Sequence, residues 1–324
     1  MQMHEVVRTY EKDLDMVEKF LEKEQDSYVK LIPEISKHII ASGGKRLRPL
    51  LLIISSDLFG YHESRRYSMA SVIEFIHTAS LLHDDVIDHA NIRRGKAAAN
   101  RVWGNTASIL VGDYLYATSF RLLAEDGDPV VQRIVSSATT TMVEGEAIQF
   151  IKSGDAEISE AEYLSIIEKK TAVLMSASCS LGAALAGAPR SSIDMLAEIG
   201  MKLGVSFQVT DDTLDYVGVE ENFGKNIGMD LREGKMTLPL IRALSQGSKS
   251  EKELIRDIVS RKSADDKDIK RIIAFMKAYG GIDYALGKAT QFIDQAKKSI
   301  KTFPDSDARK SLLSIADYIL DRNL

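Results

Sequence analysis

Three closely spaced aspartates, Asp84, Asp85 and Asp88, form a DDxxD cluster at the end of an apolar segment. In a helix, Asp84 and Asp88 stand one turn apart on the same face, so carboxylates would collect at one spot. A solvated acidic face is the simpler interpretation of a single DDxxD. The preceding segment, IEFIHTASLL, is too apolar for a surface helix, which favours a buried site. Buried carboxylates repel one another unless a cation compensates, and Mg²⁺ is a cation that prefers oxygen ligands.

The same spacing recurs further along the chain, where Asp211, Asp212 and Asp215 form a second DDxxD cluster. Gln208 falls on the helical face of Asp211 and Asp215. A second copy of the pattern makes a chance occurrence improbable. Two such clusters on different helices, facing each other across a cavity, could hold several Mg²⁺ ions and through them a diphosphate.

Basic residues that could bind phosphate oxygens accompany these clusters. In SGGKRLRP, the cations Lys45, Arg46 and Arg48 follow Gly43 and Gly44, a composition typical of a phosphate-binding turn. A solvated basic turn or a nucleic-acid contact would have the same composition. Guanidinium groups bind phosphate in bidentate fashion, so arginines near an acidic cluster fit a metal-bound diphosphate. The further cationic candidates are Arg93, Arg94, Lys170 beside Thr171, Lys225 and Lys235.

Two histidines lie in the apolar segment that leads into the first cluster. His77 lies about two helical turns before Asp84 and close to its direction, so it could donate to a phosphate, or it could be an ordinary core histidine. His83 points away from Asp84 and is interpreted as structural. The pair of His83 and Asp84 also raises the alternative of an all-α metal phosphohydrolase. Such a site needs several more histidines, and the chain has only 6.

The composition limits the class of protein. The 324 residues are 44% hydrophobic and 27% charged with a formal net charge of −5, which predicts a soluble globular protein and argues against nonspecific nucleic-acid binding. Cys179 is the one cysteine, and it lies in an apolar run typical of a buried side chain. We find neither an apolar run long enough to span a membrane nor a signal peptide, so we expect a cytoplasmic protein.

Helical periodicity dominates the chain, and sustained strand-like alternation is absent. The pattern predicts one all-α domain over residues 1–324, with minimal sheet. A first amphipathic helix is expected around Met16, Phe20 and Leu21. The other predicted helices cover residues 53–59, 70–88, 107–123, 132–150, 160–186, 191–217, 238–246, 267–279 and 282–303.

The chain carries, in order, the motifs GGKRLRP, HDDVIDHANIRRG, KKTA, QVTDDTLDY and GKNIGMDLREGKMTLPLI. This ordered set resembles the trans-isoprenyl diphosphate synthase, or polyprenyl synthetase, family over roughly residues 40–242. The resemblance implies an all-α bundle around a deep central cavity, the isoprenoid synthase-like fold, and a homodimer. Asn226 stands where the family commonly has proline, which implies an altered loop and no lost chemistry.

The resemblance also implies a role for each matching residue. Both aspartate clusters would bind Mg²⁺, about three ions per active site, together with the allylic diphosphate. Thr171 and Gln208 would lie beside the developing allylic cation, with Lys170 as a further catalytic residue. The cations expected on the allylic diphosphate are Arg93, Lys170, Lys225 and Lys235. The residues expected to bind isopentenyl diphosphate are Lys45, Arg48, His77 and Arg94.

The implied reaction is the successive addition of isopentenyl diphosphate to an allylic diphosphate such as farnesyl diphosphate. Metal ions and cationic side chains stabilise the departing diphosphate, and the isopentenyl double bond attacks the allylic cation. By resemblance, the released diphosphate takes the proton, so no nucleophilic side chain is needed. The site must exclude water, which would convert the cation to an alcohol. Transient membrane contact would release a hydrophobic product, such as the side chain of a quinone.

Product length depends on the helical turn before the first cluster. That turn holds Ala79 and Ser80, and Ser80 lies about 40° from the direction of Asp84. A bulky residue there would block the path of the growing chain, and in the family short-chain enzymes commonly have aromatic residues at these positions. We therefore expect a long-chain product, and the resemblance implies octaprenyl diphosphate as the central expectation. Met142, Phe150 and Leu174 are candidates for the end of the path, although ordinary core packing is the stronger interpretation of each.

Three alternatives stay open. A short-chain synthase would make farnesyl or geranylgeranyl diphosphate with the same chemistry. A terpene cyclase would share the helical fold and one DDxxD, yet it does not need GGKRLRP. A noncatalytic subunit of a heteromeric synthase would be expected to lack some of the acidic residues, and this chain has all six.

Overall fold

The computed structural model describes residues 2–40, 45–93, 95–217, 228–261 and 264–321. Most of these residues are helical, and the strands among them form a single hairpin of two short strands. The all-α fold class predicted from periodicity is therefore confirmed. Gly43, Gly44, Arg94, Lys225 and Asn226 lie outside the described residues.

The elements of the first part of the chain end at a left-handed glycine, Gly127, just before Pro129 opens the next helix. They are α1 Met3–Thr9, α2 Glu11–Glu24, α3 Leu31–Ile40, α4 Leu47–Asp57, α5 Arg65–Ile87, β1 Ile92–Arg93, β2 Lys96–Ala97, α6 Ala99–Trp103 and α7 Asn105–Asp126.

Several later helices begin at a side-chain cap. Ser159 and Ser248 each accept from the backbone N–H three residues on, and Asp265 does the same at a third helix. The later elements are α8 Pro129–Lys152, α9 Glu160–Ile167, a π-helical turn Glu168–Ala172, α10 Val173–Leu185, α11 Arg190–Leu214, α12 Met229–Arg232, α13 Leu238–Gln246, α14 Lys249–Ser260, α15 Asp266–Ala278, α16 Gly281–Ile300 and α17 Asp307–Leu320.

The helices group into two compact units, each made of separate stretches of chain. The first unit is Met1–Thr139, Leu174–Ala197 and Phe303–Ser314, and the second is Thr140–Val173, Glu198–Thr302 and Ile315–Leu324. The prediction of one domain over residues 1–324 stays a prediction.

The first unit is built around α5. This helix packs against α7, α4 and α2, and its side chains Phe75 and Ile76 are fully buried. A Cβ on Gly182 of α10 would lie 2.3 Å from the carbonyl oxygen of Leu52 in α4, so only glycine allows these backbones to come this close. Cys179 is buried in the same unit, as predicted, and burial raises the pKa of its thiol to about 12.

The second unit is built around α13, which packs against α16, α15 and α9. Gly281 at the start of α16 lies so close to α13 that a Cβ there would approach the carbonyl oxygen of Pro239 to 2.1 Å. Leu238 and Leu240 of α13 are fully buried. Ser206 of α11, the helix that carries the second aspartate cluster, donates its hydroxyl to the carbonyl oxygen of Ala289 in α16 at 3.1 Å.

The structure corrects the predicted helices in two respects. Residues 160–186 were expected to form one helix, and the π-helical turn at Glu168–Ala172 interrupts them. The helices α3, α6, α12, α14 and α17 were not predicted. Pro33 in α3 looks like a helix breaker, but it lies in the first turn, where proline is tolerated. In α14, a narrow stripe that includes Ile255, Ile258 and Val259 is buried among many charges.

No described helix is both long and apolar enough to cross a membrane.

Candidate active site

The first aspartate cluster lies at the end of α5. Asp84 and Asp85 are in its last turn, and Asp88 caps the helix by donating its backbone N–H to the carbonyl oxygen of Asp84 at 2.8 Å. Asp84 and Asp88 are partly exposed, whereas Asp85 is fully buried. The cluster therefore presents its first and last carboxylates at the surface of this unit and turns the middle one inward.

Neighbouring residues hold the middle carboxylate. Arg93 Nε donates to Asp85 Oδ1 at 2.8 Å, and Asn100 Nδ2 donates to the backbone oxygen of Asp85 at 2.8 Å. Asp85 Oδ2 is buried without a hydrogen-bond partner. Arg93 reaches Asp85 because the β1–β2 hairpin, in which Arg93 pairs with Lys96, folds the chain back toward α5.

Arg46 of the basic motif faces the interior of the first unit. Its guanidinium lies 2.5 Å from Glu18 and 2.9 Å from Glu74, and it donates to the carbonyl oxygen of Ile40 at 3.0 Å. Its backbone is left-handed, with φ of 47°, at the start of α4. The burial and the two ion pairs fix this unusual conformation.

Two residues predicted to bind isopentenyl diphosphate are brought together. Arg48 Nη1 lies 3.1 Å from His77 Nε2, and both side chains are partly exposed. Lys45, from the same motif, is exposed. Histidine and arginine in contact at a partly exposed position can both donate to a bound anion.

His83 is structural, as predicted, and it packs against α7. Its Nε2 lies 3.2 Å from the carbonyl oxygen of Ile109 and 3.5 Å from Asp113 Oδ1. A Cβ on Gly112 would come within 2.2 Å of the His83 ring. The histidine therefore holds the end of α5 against α7.

The second cluster centres on Asp212, which lies in α11 and is buried. Tyr163 donates its hydroxyl to Asp212 Oδ2 at 2.6 Å, and Gln208 Nε2 donates to Asp212 Oδ1 at 2.7 Å. Thr171 in turn donates its hydroxyl to Gln208 Oε1 at 2.9 Å. Burial, and then repulsion from Asp211, raise the pKa of Asp212 to about 6 against the opposing effect of these hydrogen bonds.

Asp215 and Asp230 extend this acidic group. The backbone N–H of Asp230 donates to Asp215 Oδ2 at 3.2 Å, and that of Lys235 donates to the carbonyl oxygen of Asp230 at 2.7 Å. Burial, followed by repulsion from Asp212 and Asp215, raises the pKa of Asp230 well above its ordinary value. Burial likewise raises the pKa of Asp215. Lys235 Nζ lies 2.7 Å from the carboxylate of Glu233, and both side chains are partly exposed.

The π-helical turn carries Lys170 and Thr171. Lys170 Nζ forms an ion pair with Glu146 at 2.5 Å. The turn fits closely against two glycines, since a Cβ on Gly145 would lie 2.5 Å from the Lys170 nitrogen and a Cβ on Gly204 would lie 2.5 Å from the Cα of Ala172. A turn of this kind adds a residue to the helix and changes the direction of the side chains that follow.

The carboxylates fit a magnesium ion by their chemistry. They are hard oxygen donors, and burial raises the pKa of Asp212, Asp215 and Asp230, so a bound cation would favour their ionised forms. Among the residues that the structure describes, no three His, Cys, Asp or Glu side chains are arranged to hold an ion by themselves. Mg²⁺ commonly uses one or two carboxylates together with water and substrate phosphates, which agrees with this arrangement.

The positions predicted to control chain length lie in the middle of α5. Ala79 is fully buried, and the partly exposed Ser80 donates its hydroxyl to the carbonyl oxygen of His77 at 2.8 Å. Met142 and Leu174 are buried. Phe150 is 70% exposed, which contradicts both of its predicted roles, the end of an enclosed path and ordinary core packing.

Sequence reasoning missed three residues of the site. Asp230 lies in the quoted motif GMDLREGK, where an acidic residue close to Lys235 was an available signal. Glu146 and Tyr163 gave no signal in the sequence, because their partners Lys170 and Asp212 are far away along the chain.

Comparisons with known proteins identify the family of this chain. The family model for polyprenyl synthetase matches residues 29–276. The octaprenyl diphosphate synthase of Haemophilus influenzae is 36% identical, over 100% of this chain and 98% of its own length. The geranylgeranyl diphosphate synthase of Saccharolobus solfataricus is 35% identical, over 91% of this chain and 92% of its own length.

A solved structure has the same fold. The polyprenyl synthase of Caulobacter crescentus CB15, complexed with calcium and isoprenyl diphosphate, superposes with a TM-score of 0.94. It is 38% identical and covers 100% of this chain and 98% of its own chain. This chain is therefore a trans-prenyltransferase and belongs to the polyprenyl synthetase family.

Proposed function

We propose that the chain extends farnesyl diphosphate with successive isopentenyl diphosphate units to a long-chain all-trans product, octaprenyl diphosphate. The observation that carries this proposal is the pair of small residues in α5, Ala79 and Ser80, one turn before Asp84. A small side chain leaves room for a growing chain where an aromatic ring would stop it. The similarity to an octaprenyl diphosphate synthase over the full chain supports the same product.

The acidic residues have one proposed role. Both aspartate clusters are proposed to bind Mg²⁺, about three ions with substrate bound, either as direct ligands or by orienting the neighbouring carboxylates that are. Their members are Asp84, Asp85, Asp88, Asp211, Asp212 and Asp215. When bound, the ions supply positive charge to the departing diphosphate. Asp84 and Asp88 are the partly exposed carboxylates of the first cluster and are therefore its proposed direct ligands.

The cationic residues are proposed to sort the two substrates. Arg48 and His77, which touch one another, bind isopentenyl diphosphate with Lys45 and Arg94. Arg93, Lys170, Lys225 and Lys235 bind the allylic diphosphate. The oxygens of Thr171 and Gln208 stabilise the allylic cation after the C–O bond breaks, and the isopentenyl double bond then attacks that carbon.

We further propose that the enzyme acts as a cytoplasmic homodimer. On α7, the apolar side chains Ile109, Leu110 and Phe120 are 41%, 59% and 46% exposed in the single chain, and a second copy of the chain would cover such residues. The molar mass from light scattering, compared between the native chain and Leu110→Asp, tests the dimer.

Transient membrane contact would release the product for use as a lipid such as a quinone side chain.

The experiment that tests the reaction is an incubation with Mg²⁺, labelled isopentenyl diphosphate and farnesyl diphosphate, followed by mass spectrometry of the dephosphorylated products. A ladder that ends at the octaprenyl alcohol supports the proposal. A ladder that ends at geranylgeraniol favours a short-chain enzyme, which the similarity to geranylgeranyl diphosphate synthases also allows. Cyclic products from geranylgeranyl diphosphate alone would contradict both.

A further inference from the structure

A continuous line of hydrogen bonds in the second unit begins at a residue with no role in the reaction proposed above. The Tyr163 hydroxyl donates to Asp212 at 2.6 Å, the Gln208 amide donates to the same carboxylate at 2.7 Å, and the Thr171 hydroxyl donates to Gln208 at 2.9 Å. Tyr163 itself is buried in α9 among apolar side chains. Its hydroxyl therefore has no access to substrate, and any effect on the reaction must pass through Asp212.

The chemistry of each group fixes the direction of these bonds. The Gln208 amide nitrogen can only donate, and the carboxylate oxygen Oδ1 of Asp212 accepts from it. The other end of the same amide, Oε1, can only accept, so the Thr171 hydroxyl must donate its proton to it. This direction holds because Asp212 lies on the nitrogen side of the amide.

The consequence falls on the Thr171 oxygen. With its proton committed to Gln208, that oxygen keeps its lone pairs for other partners, and lone pairs are what a developing carbocation needs. A hydroxyl free to rotate would present its proton part of the time and lose this interaction. A fixed dipole also needs no reorganisation during the reaction, which is the condition for electrostatic stabilisation.

We propose that Tyr163 is a positioning residue for prenyl transfer, which acts through Asp212 and Gln208 to hold the Thr171 hydroxyl with its lone pairs toward the allylic cation. Tyr163 occupies Oδ2 of Asp212, so that the carboxylate cannot rotate away from Gln208. The proposal rests on the proposed function of Thr171 and Gln208 and adds the residue that sets their orientation.

The test is a double-mutant cycle on single-turnover rates. Tyr163→Phe removes one oxygen and keeps the ring, and we expect it to slow the bond-forming step by about tenfold. The KM for isopentenyl diphosphate should change less than about twofold, since binding is not affected. In the Thr171→Val background, Tyr163→Phe should have little further effect on the rate, because Tyr163 acts only through the hydrogen bonds that end at Thr171.

Tyr284→Phe is the matched control. Tyr284 also donates its hydroxyl to a carboxylate, Glu160, at 2.8 Å in the same unit, but Glu160 forms an ion pair with Lys288 at 2.9 Å and not the hydrogen bonds that Asp212 forms. This variant should keep the native single-turnover rate. Equal slowing by both tyrosine variants, or independent effects of Tyr163→Phe and Thr171→Val in the cycle, would overturn the proposal.

A second readout needs no substrate. In methyl-labelled threonine NMR spectra, the Thr171 resonance is identified by its loss in Thr171→Val, and Tyr163→Phe should shift or broaden it while Tyr284→Phe leaves it in place. An unmoved Thr171 resonance in Tyr163→Phe would also reject the proposal. If instead the native chain fails to extend farnesyl diphosphate, the proposed function fails, and the spectra still decide whether Tyr163 orients Thr171.

Discussion

At the scale of single residues, carboxylates of the same motif have different environments. Asp85 is fully buried and paired with Arg93, whereas Asp84 in the same turn is partly exposed. Removing a buried member of an ion pair leaves its partner without compensation, and this loss affects the folded state. Removing a carboxylate at the surface affects mainly the ligands that it binds.

We therefore expect Asp85→Ala and Asp84→Ala to fail in different ways. Asp85→Ala should lower the free energy of unfolding by about 2 kcal/mol, less than for a fully buried pair because Arg93 is partly exposed. Asp84→Ala should change it by less than about 1 kcal/mol and reduce turnover by at least about a hundredfold. Urea denaturation and initial rates measure the two effects. Near-normal turnover of Asp84→Ala would contradict its assignment as a metal ligand.

Asp230 illustrates the cost of collecting carboxylates. Burial and the charges of Asp212 and Asp215 raise its pKa, which means that the ionised form is disfavoured in the folded chain. Replacing it by a neutral residue of the same shape should remove that cost in the absence of metal.

The expected result for Asp230→Asn is a metal-free chain stabilised by about 1 kcal/mol at neutral pH. Thermal melting in EDTA measures this gain, and Mg²⁺ with inorganic diphosphate should stabilise the native chain more than the variant. Asp294→Asn is the control, because Asp294 is exposed on α16. A lower melting temperature for Asp230→Asn in EDTA would show that its charge is well compensated.

At the scale of elements, the π-helical turn depends on glycines in neighbouring helices. Gly145 allows the backbone of Lys170 to lie against α8, and Gly204 allows Ala172 to lie against α11. A methyl group at either position would overlap backbone atoms, which have little freedom to move away.

Gly145→Ala should accordingly destabilise the chain by about 2 kcal/mol and displace Lys170, with loss of activity. Gly287→Ala is the matched control in α16, where a Cβ would meet nothing within 4 Å. That change should stabilise the chain by about 0.5 kcal/mol, since alanine is the better helix former. Chemical denaturation of both variants gives the comparison, and a stable Gly145→Ala would show that the turn can shift.

The elements also show how far periodicity can predict a fold. A repeat of apolar residues reports one buried stripe of a helix, and it correctly indicated α5, α7, α13 and α16. It could not indicate the π-helical turn, because that turn depends on the two close glycine contacts rather than on its own residue types. The apolar repeat also could not distinguish the helix α14 from a charged loop, since a narrow apolar stripe among charged residues is compatible with either.

At the scale of the whole molecule, we expect the length of the product to depend on the space beside the turn that precedes Asp84. Ser80→Phe should shorten the product and leave the first condensation intact, because the ring would fill space one turn before Asp84 without touching the reacting diphosphate. Mass spectrometry of the products gives the answer. Ser245→Phe is the control, because Ser245 is exposed on α13. Identical product lengths for Ser80→Phe and the native chain would remove the argument from small residues.

The site as a whole was only partly predictable. The aspartates and the arginine of the hairpin lie within short motifs, where spacing alone shows that they belong together. The contacts of Tyr163 with Asp212 and of Glu146 with Lys170 join residues far apart in sequence, and each depends on how α8, α9 and α11 pack. A single sequence carries no signal for such pairs, since each residue by itself is unremarkable.

Arg46 changes the electrostatic meaning of the motif in which it lies. GGKRLRP contains three cations, yet the charge of Arg46 is already balanced by Glu18 and Glu74 within the first unit. A bound polyanion can therefore recruit at most the two flanking cations, Lys45 and Arg48. If the motif binds isopentenyl diphosphate as proposed, we expect it to contribute to the ionic-strength dependence of that binding as two cations and not as three.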